Sequence, residues 1–281
     1  MVSGPAMRFV IIVPVFNAGA KITRTLESLL AQTALADGTA RLEVLVMDGA
    51  SSDDTCARAE AIGDPRITVV SAPDRGMYDA LARGLARAEG DVTGYLPAGE
   101  TLDPHAFAVA AEVLGRYPEI AWITGHEVTR NAAGQIINCR LPHPFHRRFF
   151  DCGMYGTRLT VLQQESTLWR SALNGLVDPE RLAGCRLAGD YFLWRSFARA
   201  HELYVIDTAI GAFTVEPGQL SKQEPGAYRR ELRSLRRRPA LWERFAALLL
   251  RQYIKRIRAG RRARRLVRFD HGAGEWRLTR H

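Results

Sequence analysis

Polar, turn-forming residues cluster at four points in the first hundred residues: Pro14-Val15-Phe16-Asn17, Asp48 to Asp53, Asp74-Arg75-Gly76 and Gly99-Glu100. Their carboxylates suit two tasks. A carboxylate accepts hydrogen bonds from ribose hydroxyls and base N–H groups. It is also a hard oxygen ligand for Mg2+ or Mn2+, whose coordination shell diphosphate and water can complete. Taken singly, each cluster also reads as turn and cap chemistry; Asp53 or Asp54 alone would cap the following helix. Neither a GxGxxG after the first strand nor a GxxxxGK[ST] occurs, which argues against a dinucleotide oxidoreductase and a P-loop hydrolase. The histidines show no HExxH spacing, and Cys56, Cys139, Cys152 and Cys185 form no CxxC. Reduced thiols in the cytoplasm are therefore expected rather than a metal cluster or disulfide framework.

Alternating strands and helices would position these clusters. Phe9 to Val15 (FVIIVPV) is an unbroken apolar run, as expected of a strand buried on both faces of a parallel sheet. A helix is expected over about 20–31, with Ile22, Leu26 and Leu29 on one face. Strands are expected at Leu42 to Met47, Ile67 to Ser71 and Val92 to Leu96, with helices at about 54–62 and 78–88 between them. Asp103-Pro104 reads as the N-cap and first position of a further helix. Four strand–helix units argue for an α/β sandwich around a mostly parallel sheet, whose ligands bind beyond the carboxyl ends of the strands. The four polar clusters fall at those ends. Ala121 to Arg140 reads as two short strands joined by Asn-Ala-Ala-Gly, and 141–157 as loop. Helices are expected at 166–172 and 191–200, and strand at 203–213.

The order PVFN, MDGASSDDT and PDRGMYDALARGLARAEGDVTGYLPAGETL resembles the inverting family-2 glycosyltransferases with the GT-A fold. QQESTLWRSAL, AGDYFLWRSFA and FTVEPGQLS extend the resemblance to bacterial members that build surface polysaccharides. It covers about Arg8 to Ser221. The resemblance implies transfer of a sugar from a nucleotide-diphosphate sugar to a glycan or lipid-linked acceptor. Pro14, Phe16 and Asn17 would line the nucleotide. Asp48 would meet base or ribose, with Ser51 and Asp53 shaping the turn. Asp74 and Arg75 would approach the nucleotide-sugar, and Tyr78, Asp79 and Arg83 would lie close by. Tyr78 is equally well read as a helix-packing residue. Asp190 would be the general base, although its place also suits the N-cap of the next helix. Gln163, Gln164, Glu165 and Trp169 would fall on the acceptor side, with Trp169 and Trp194 also suited to the core. Gln219-Leu220-Ser221 would form a loop near the donor.

One departure bears on the metal. The family's LN-S/A-DD, or LNSGD in the subgroup this chain most resembles, is here Leu96-Pro97-Ala98-Gly99-Glu100, with Pro97 for the common Asn and Glu100 for Asp. Gly99 offers no side-chain ligand, so Glu100 would be the single acidic metal ligand, sharing Mg2+ or Mn2+ with the donor's phosphates. The same departure motivates the rival reading, a non-catalytic glycosyltransferase-like subunit of a polysaccharide assembly complex.

Charge divides the chain. The formal net charge is +9, yet residues 228–281 hold 18 Lys/Arg against 4 Asp/Glu, leaving a mildly acidic body. A glycosyltransferase domain is expected over 1–227, with a nucleotide half at about 8–103 and an acceptor half at about 104–227. A basic helical tail follows. Pro239 would open a helix to about Arg258, carrying Leu241, Phe245, Leu248, Leu249 and Ile257 with Arg244, Arg251, Lys255 and Arg262. Such a basic amphipathic helix suits an anionic membrane interface, or packing on protein. No leader and no membrane-crossing run is read, so the expected place is the cytoplasmic face of the membrane. No DNA- or RNA-reading motif accompanies the basic charge, so no nucleic-acid partner is expected. The oligomeric state stays open.

Overall fold

The computed structural model describes residues 5–143, 145–215, 226–256 and 265–279. The N-terminal half runs β1 (Met7–Val15), α1 (Gly19–Leu30), α2 (Thr33–Ala36), β2 (Ala40–Asp48), α3 (Thr55–Ala61), β3 (Ile67–Ser71), α4 (Met77–Leu85), β4 (Val92–Tyr95), β5 (Thr101–Leu102) and α5 (Ala106–Arg116). Then come β6 (Trp122–Thr124), β7 (Glu127–Arg130), β8 (Ile136–Arg140), α6 (Arg147–Asp151), β9 (Thr167–Arg170), α7 (Pro179–Ala183), α8 (Gly189–Ala198), β10 (Leu203–Ile206) and β11 (Gly211–Thr214). The chain closes with α9 (Ala227–Leu235), α10 (Leu241–Arg256), β12 (Leu266–Asp270) and β13 (Glu275–Leu278).

A nine-stranded sheet in the order β13-β12-β10-β6-β9-β4-β1-β2-β3 forms the centre. β1 pairs in parallel with β2 on one side and β4 on the other. β9 runs antiparallel between β4 and β6. The mostly parallel α/β sandwich is thus as expected. β1 explains why: Phe9, Ile11, Val13 and Val15 enter one apolar cluster, and Val10 and Ile12 enter the other. Period-two alternation therefore buries both faces, so no polar residue appears in the run. Ile22, Leu26 and Leu29 of α1 cover the first face together with Phe107 of α5, whose ring stacks 4.2 Å from Phe9. Leu81 of α4 and Trp194 and Phe197 of α8 cover the second. A four-stranded sheet, β5-β11-β7-β8, flanks the centre.

Several elements differ from the sequence expectation. The helix expected at 166–172 is the strand β9, flanked by 3-10 turns at Gln164–Ser166 and Ser171–Leu176. Leu168 and Trp169 enter opposite core clusters, so the segment must be extended to fill the gap between β4 and β6. The helix expected from Asp103-Pro104 begins only at Ala106; the Asp103 carboxylate accepts the His105 N–H at 3.0 Å in a tight turn instead. The Ala121 to Arg140 segment holds three strands: β7 and β8 form the expected hairpin, while β6 joins the central sheet. Arg147–Asp151, read as loop, is a short helix.

The basic tail is not helical throughout. Beyond α10 it forms the β12–β13 hairpin, and β12 extends the central sheet beside β10. Ala247 and Leu266 are buried in one core cluster and Val267 in the other. Described residues of the tail thus share the core of the body. Gln219, Leu220, Ser221, Ile257, Arg258 and Arg262 lie outside the described residues. No helix among the described residues is long and apolar enough to cross a membrane.

Candidate active site

β1 parts from β4 at its carboxyl end, the kind of place where ligands bind in such sheets. Their pairing ends at Ile12 and Tyr95, and Pro14, buried in β1, has no N–H to continue a ladder. Past β1 the Phe16 side chain is 62% exposed and Asn17 takes φ +46°. The Asn17 N–H donates to Ser51 Oγ at 2.8 Å, and the Ser52 N–H donates to Asn17 Oδ1 at 2.9 Å. The turns after β1 and β2 therefore hold each other. Asp53 completes the clamp: its carboxylate accepts the Gly19 N–H at 3.2 Å and the Thr55 N–H at 3.0 Å. Its role is to join the starts of α1 and α3.

Asp48 ends β2 almost fully buried. It accepts the Ser51 N–H at 3.0 Å and the Ser71 hydroxyl at 2.6 Å. Burial opposes its ionisation, but hydrogen bonds from Ser51 and Ser71 outweigh that and hold its carboxyl below the usual range. Gly49 follows because Asp74 packs against it: a Cβ there would lie 2.7 Å from the Asp74 carboxylate. Asp48, Asp74 and Arg83 share the lining of a cavity of about 60 Å3 with Met47, Val70 and Ala80. Arg75 points elsewhere, to Asp79 at 3.3 Å and Glu180 at 3.9 Å.

At the end of β4, Gly99 adopts φ +105° and donates its N–H to Thr25 Oγ1 at 2.8 Å. An aspartate at this position would be strained in this conformation. Glu100 is 7% exposed, and its Oε2 accepts the Thr214 N–H at 2.6 Å. No group of three or more metal-ligating side chains occurs among the described residues. The chemistry of Glu100, a hard oxygen donor, fits one ligand of a divalent cation, with donor phosphates needed to complete a shell.

Asp190 lies inside the first turn of α8 rather than at its N-cap, which is Ala188. It accepts the Tyr191 N–H at 2.6 Å and the Tyr228 hydroxyl at 3.1 Å. Burial raises its pKa to about 7; those hydrogen bonds pull it down, and the charge of Glu231 pushes it further up. Glu165 is also buried, its Oε1 has no hydrogen-bond partner among the described residues, and its pKa is raised to about 7 by burial, with the charge of Asp190 adding to this. Gln164 accepts a hydrogen bond from the Tyr95 hydroxyl. Tyr78 joins the two halves of the site. Its buried ring lies on Gly189, where a Cβ would come within 2.4 Å, and its hydroxyl donates to the Leu187 carbonyl at 3.2 Å. Tyr78 is thus a packing residue that seats the Asp190 turn.

Trp169, expected on the acceptor side, is fully buried and donates its indole N–H to Asn174 at 2.7 Å. Its ring packs on Trp194 and Phe197, so it cannot stack on a sugar. Three residues of this region were not singled out from the sequence: Tyr95, Tyr228 and Glu231. Glu231 accepts the N–H groups of Arg186, Leu187 and Ala188 at 2.6, 2.6 and 2.9 Å, so it holds the turn that leads into Asp190. A lone acid in the run Arg229-Arg230-Glu231-Leu232-Arg233 was its only visible signal. Nothing local marks Tyr228.

The family described as Glycosyl transferase family 2 matches residues 10–158, more than half of the chain. The chain belongs to this family. It is 30% identical over 154 residues to an uncharacterized glycosyltransferase of Mycobacterium tuberculosis, covering 54% of this chain and 56% of the relative. It is 30% identical over 135 residues to a PGL/p-HBAD biosynthesis glycosyltransferase of Mycobacterium bovis, covering 47% and 48%. The matches thus span about half the length of these relatives. Among solved structures, S. aureus TarS 1-349 in complex with UDP-GlcNAc superposes with TM-score 0.59 at 18% identity, covering 78% of this chain and 61% of that one. Mannosyltransferase PcManGT from Pyrobaculum calidifontis, in complex with GDP-Man and Mn2+, gives 0.52 at 19%, covering 78% and 60%. These likenesses show the GT-A fold in this family-2 chain.

Proposed function

We propose that the protein is an inverting glycosyltransferase that moves a sugar from a nucleotide-diphosphate sugar to a hydroxyl of a glycan or lipid-linked acceptor in cell-surface polysaccharide synthesis. The observation that carries this reading is Asp190: a buried carboxylate with a pKa of about 7, seated by Tyr78 against the nucleotide half. The nucleotide lies over Pro14, Phe16 and Asn17, with Asp48 and Asp74 facing base and ribose and Ser51 and Asp53 keeping the turn in shape. Arg75 stands nearby, held by Asp79.

In the reaction an acceptor oxygen attacks the anomeric carbon from the face opposite the diphosphate. The carbon–oxygen bond to the diphosphate breaks, its electron pair leaves with the nucleoside diphosphate, and the acceptor proton passes to Asp190. A base whose pKa lies near neutrality takes and returns a proton with little penalty either way. Tyr228 orients the Asp190 carboxylate. A divalent cation on Glu100 and the donor phosphates, when bound, offsets charge developing on the leaving group. Gln164 and Glu165 lie toward the acceptor.

We place the enzyme on the inner face of the cytoplasmic membrane. Supporting this, α10 presents Leu241, Trp242, Phe245, Leu248, Leu249 and Tyr253 to solvent on a strongly basic segment. Gly99 favours the rival non-catalytic reading, and Asp190 opposes it. A thermal-shift screen of nucleotide-sugars with Mn2+, followed by a transfer assay with the stabilising donor, separates the two. Stabilisation without transfer to any glycan or lipid-linked acceptor would favour the non-catalytic subunit.

A further inference from the structure

Away from the crevice, at the other end of α8 from Asp190, an open cleft of about 800 Å3 is lined by Arg147, Arg148, Arg195, Arg199, Arg237 and Arg265. Asp190 and Arg199 stand nine residues apart on or beside one helix, on the order of 14 Å along its axis. The carboxylates present do not balance the arginines. Asp151 takes Arg195 at 3.0 Å and Arg237 at 2.6 Å, Glu202 takes Arg265, and the buried Glu243 takes Arg148 at 3.3 Å and a second contact from Arg237. Six guanidinium groups thus face three carboxylates. Arg147 spends its donors on the C-terminal carbonyls of α8, at Ala198 and Arg199. The Arg265 Nε is buried without a hydrogen-bond partner among the described residues. A concave surface with this excess of planar donors suits a phosphate group.

The cleft also has an apolar neighbour. Glu243 accepts the Ala240 N–H at 2.8 Å and binds Arg148 and Arg237, which fixes the start of α10 beside the cleft. The Arg148 guanidinium sits 4.6 Å over the Trp242 ring. Trp242 belongs to the exposed apolar face of α10, where Leu241 is 80% and Phe245 61% exposed. Phosphate-binding groups and an uncovered apolar face thus meet at Arg148 and Trp242.

We infer that the arginine cleft binds the phosphate headgroup of an anionic membrane phospholipid, with the exposed face of α10 lying against the acyl region. This rests on the membrane reading above and deepens it: the headgroup site is built by α6, α8 and the approach to β12, not by α10 alone. A soluble phosphate would leave the apolar face uncovered.

Flotation of the full chain with phosphatidylcholine vesicles, with and without phosphatidylglycerol, tests it. Arg199→Gln should weaken binding to the phosphatidylglycerol vesicles roughly fivefold with unchanged melting temperature, and Arg148→Gln with Arg199→Gln roughly 25-fold, both with unchanged transfer to a soluble acceptor. Phe245→Ser with Leu249→Ser should weaken binding to both vesicle types. Arginine variants that bind phosphatidylglycerol vesicles like the parent would overturn the cleft assignment while leaving the membrane reading intact. A parent that binds neither vesicle would contradict the membrane reading itself. An arginine-dependent thermal shift with inorganic phosphate, or arginine-dependent binding of an RNA oligonucleotide, would also overturn the lipid assignment if phosphatidylglycerol adds nothing to vesicle binding.

Discussion

The Tyr228 hydroxyl lies 3.1 and 3.3 Å from the two carboxylate oxygens of Asp190, across 38 residues of sequence. It donates to the charged form of the proposed base, so it opposes the burial that raises the Asp190 pKa to about 7. Activity should therefore rise with pH through about 7, as Asp190 loses its proton. Tyr228→Phe removes a stabiliser of the carboxylate. The acid limb of the pH–kcat/KM profile should move upward, by roughly one unit for a charge-assisted hydrogen bond. A profile that stays in place would show that Tyr228 does not tune the base.

Glu165 lends itself to a stability test. Its folded pKa, about 7, lies above the usual glutamate value of 4.5. A raised carboxylate stabilises the fold below the unfolded value, and that contribution is lost as pH rises through the folded value. The loss falls between about pH 4.5 and 7. Glu165→Gln, which never charges, should melt higher than the parent at pH 8 and much like it at pH 4. For each kcal/mol of relief the gain is roughly 2–4 °C. Equal melting temperatures at pH 8 would contradict a buried, charged Glu165.

Glu100 is the proposed metal ligand. Glu100→Gln keeps an oxygen for the Thr214 N–H but removes the charge. Calorimetric titration of the nucleoside diphosphate should show Mn2+-enhanced binding in the parent, an enhancement lost with chelator and reduced roughly 10–100-fold in the variant. Parent binding that ignores Mn2+ would remove the cation from the proposed chemistry.

The proposed nucleotide-binding residues give a separate prediction. Asp74 bonds the Gly76 N–H at 2.8 Å and lies against Gly49. Asp74→Ala should weaken nucleoside diphosphate binding roughly tenfold, the loss of about one charge-assisted hydrogen bond. Unchanged affinity would move the base and ribose away from this cavity.

A detachable tail would tolerate truncation before Leu241. The β12–β10 pairing and the buried Ala247, Leu266 and Val267 indicate otherwise. Truncation should uncover the β10 edge and lower the melting temperature by more than about 5 °C. A truncated chain that melts like the parent would show the tail to be an appendage after all.

The nucleotide half was legible because its signals are local. The run Phe9 to Val15 could only be buried on both faces, and the turns holding Asn17, Ser51 and Asp53 close within one strand–helix unit of each other. The acceptor half depends on distant partners. Thr167–Arg170 is too short for its period to distinguish helix from strand, and the choice is made by the gap between β4 and β6. Asp190 was singled out through its motif, yet its environment comes from Tyr228 and Glu231, which sit in a run that reads as solvated charge. The tail misled for a related reason: its excess of arginine masks Leu266 and Val267, the adjacent apolar pair whose burial in opposite core clusters ties β12 to the sheet.

The most direct test of the proposed chemistry is transfer by Asp190→Asn, using the donor that most stabilises the parent. Asparagine preserves the shape of the side chain but cannot take the acceptor's proton. Transfer should fall by roughly 10^2- to 10^4-fold, while nucleoside diphosphate binding and its Mn2+ dependence match the parent. Near-parental transfer by this variant would contradict Asp190 as the base.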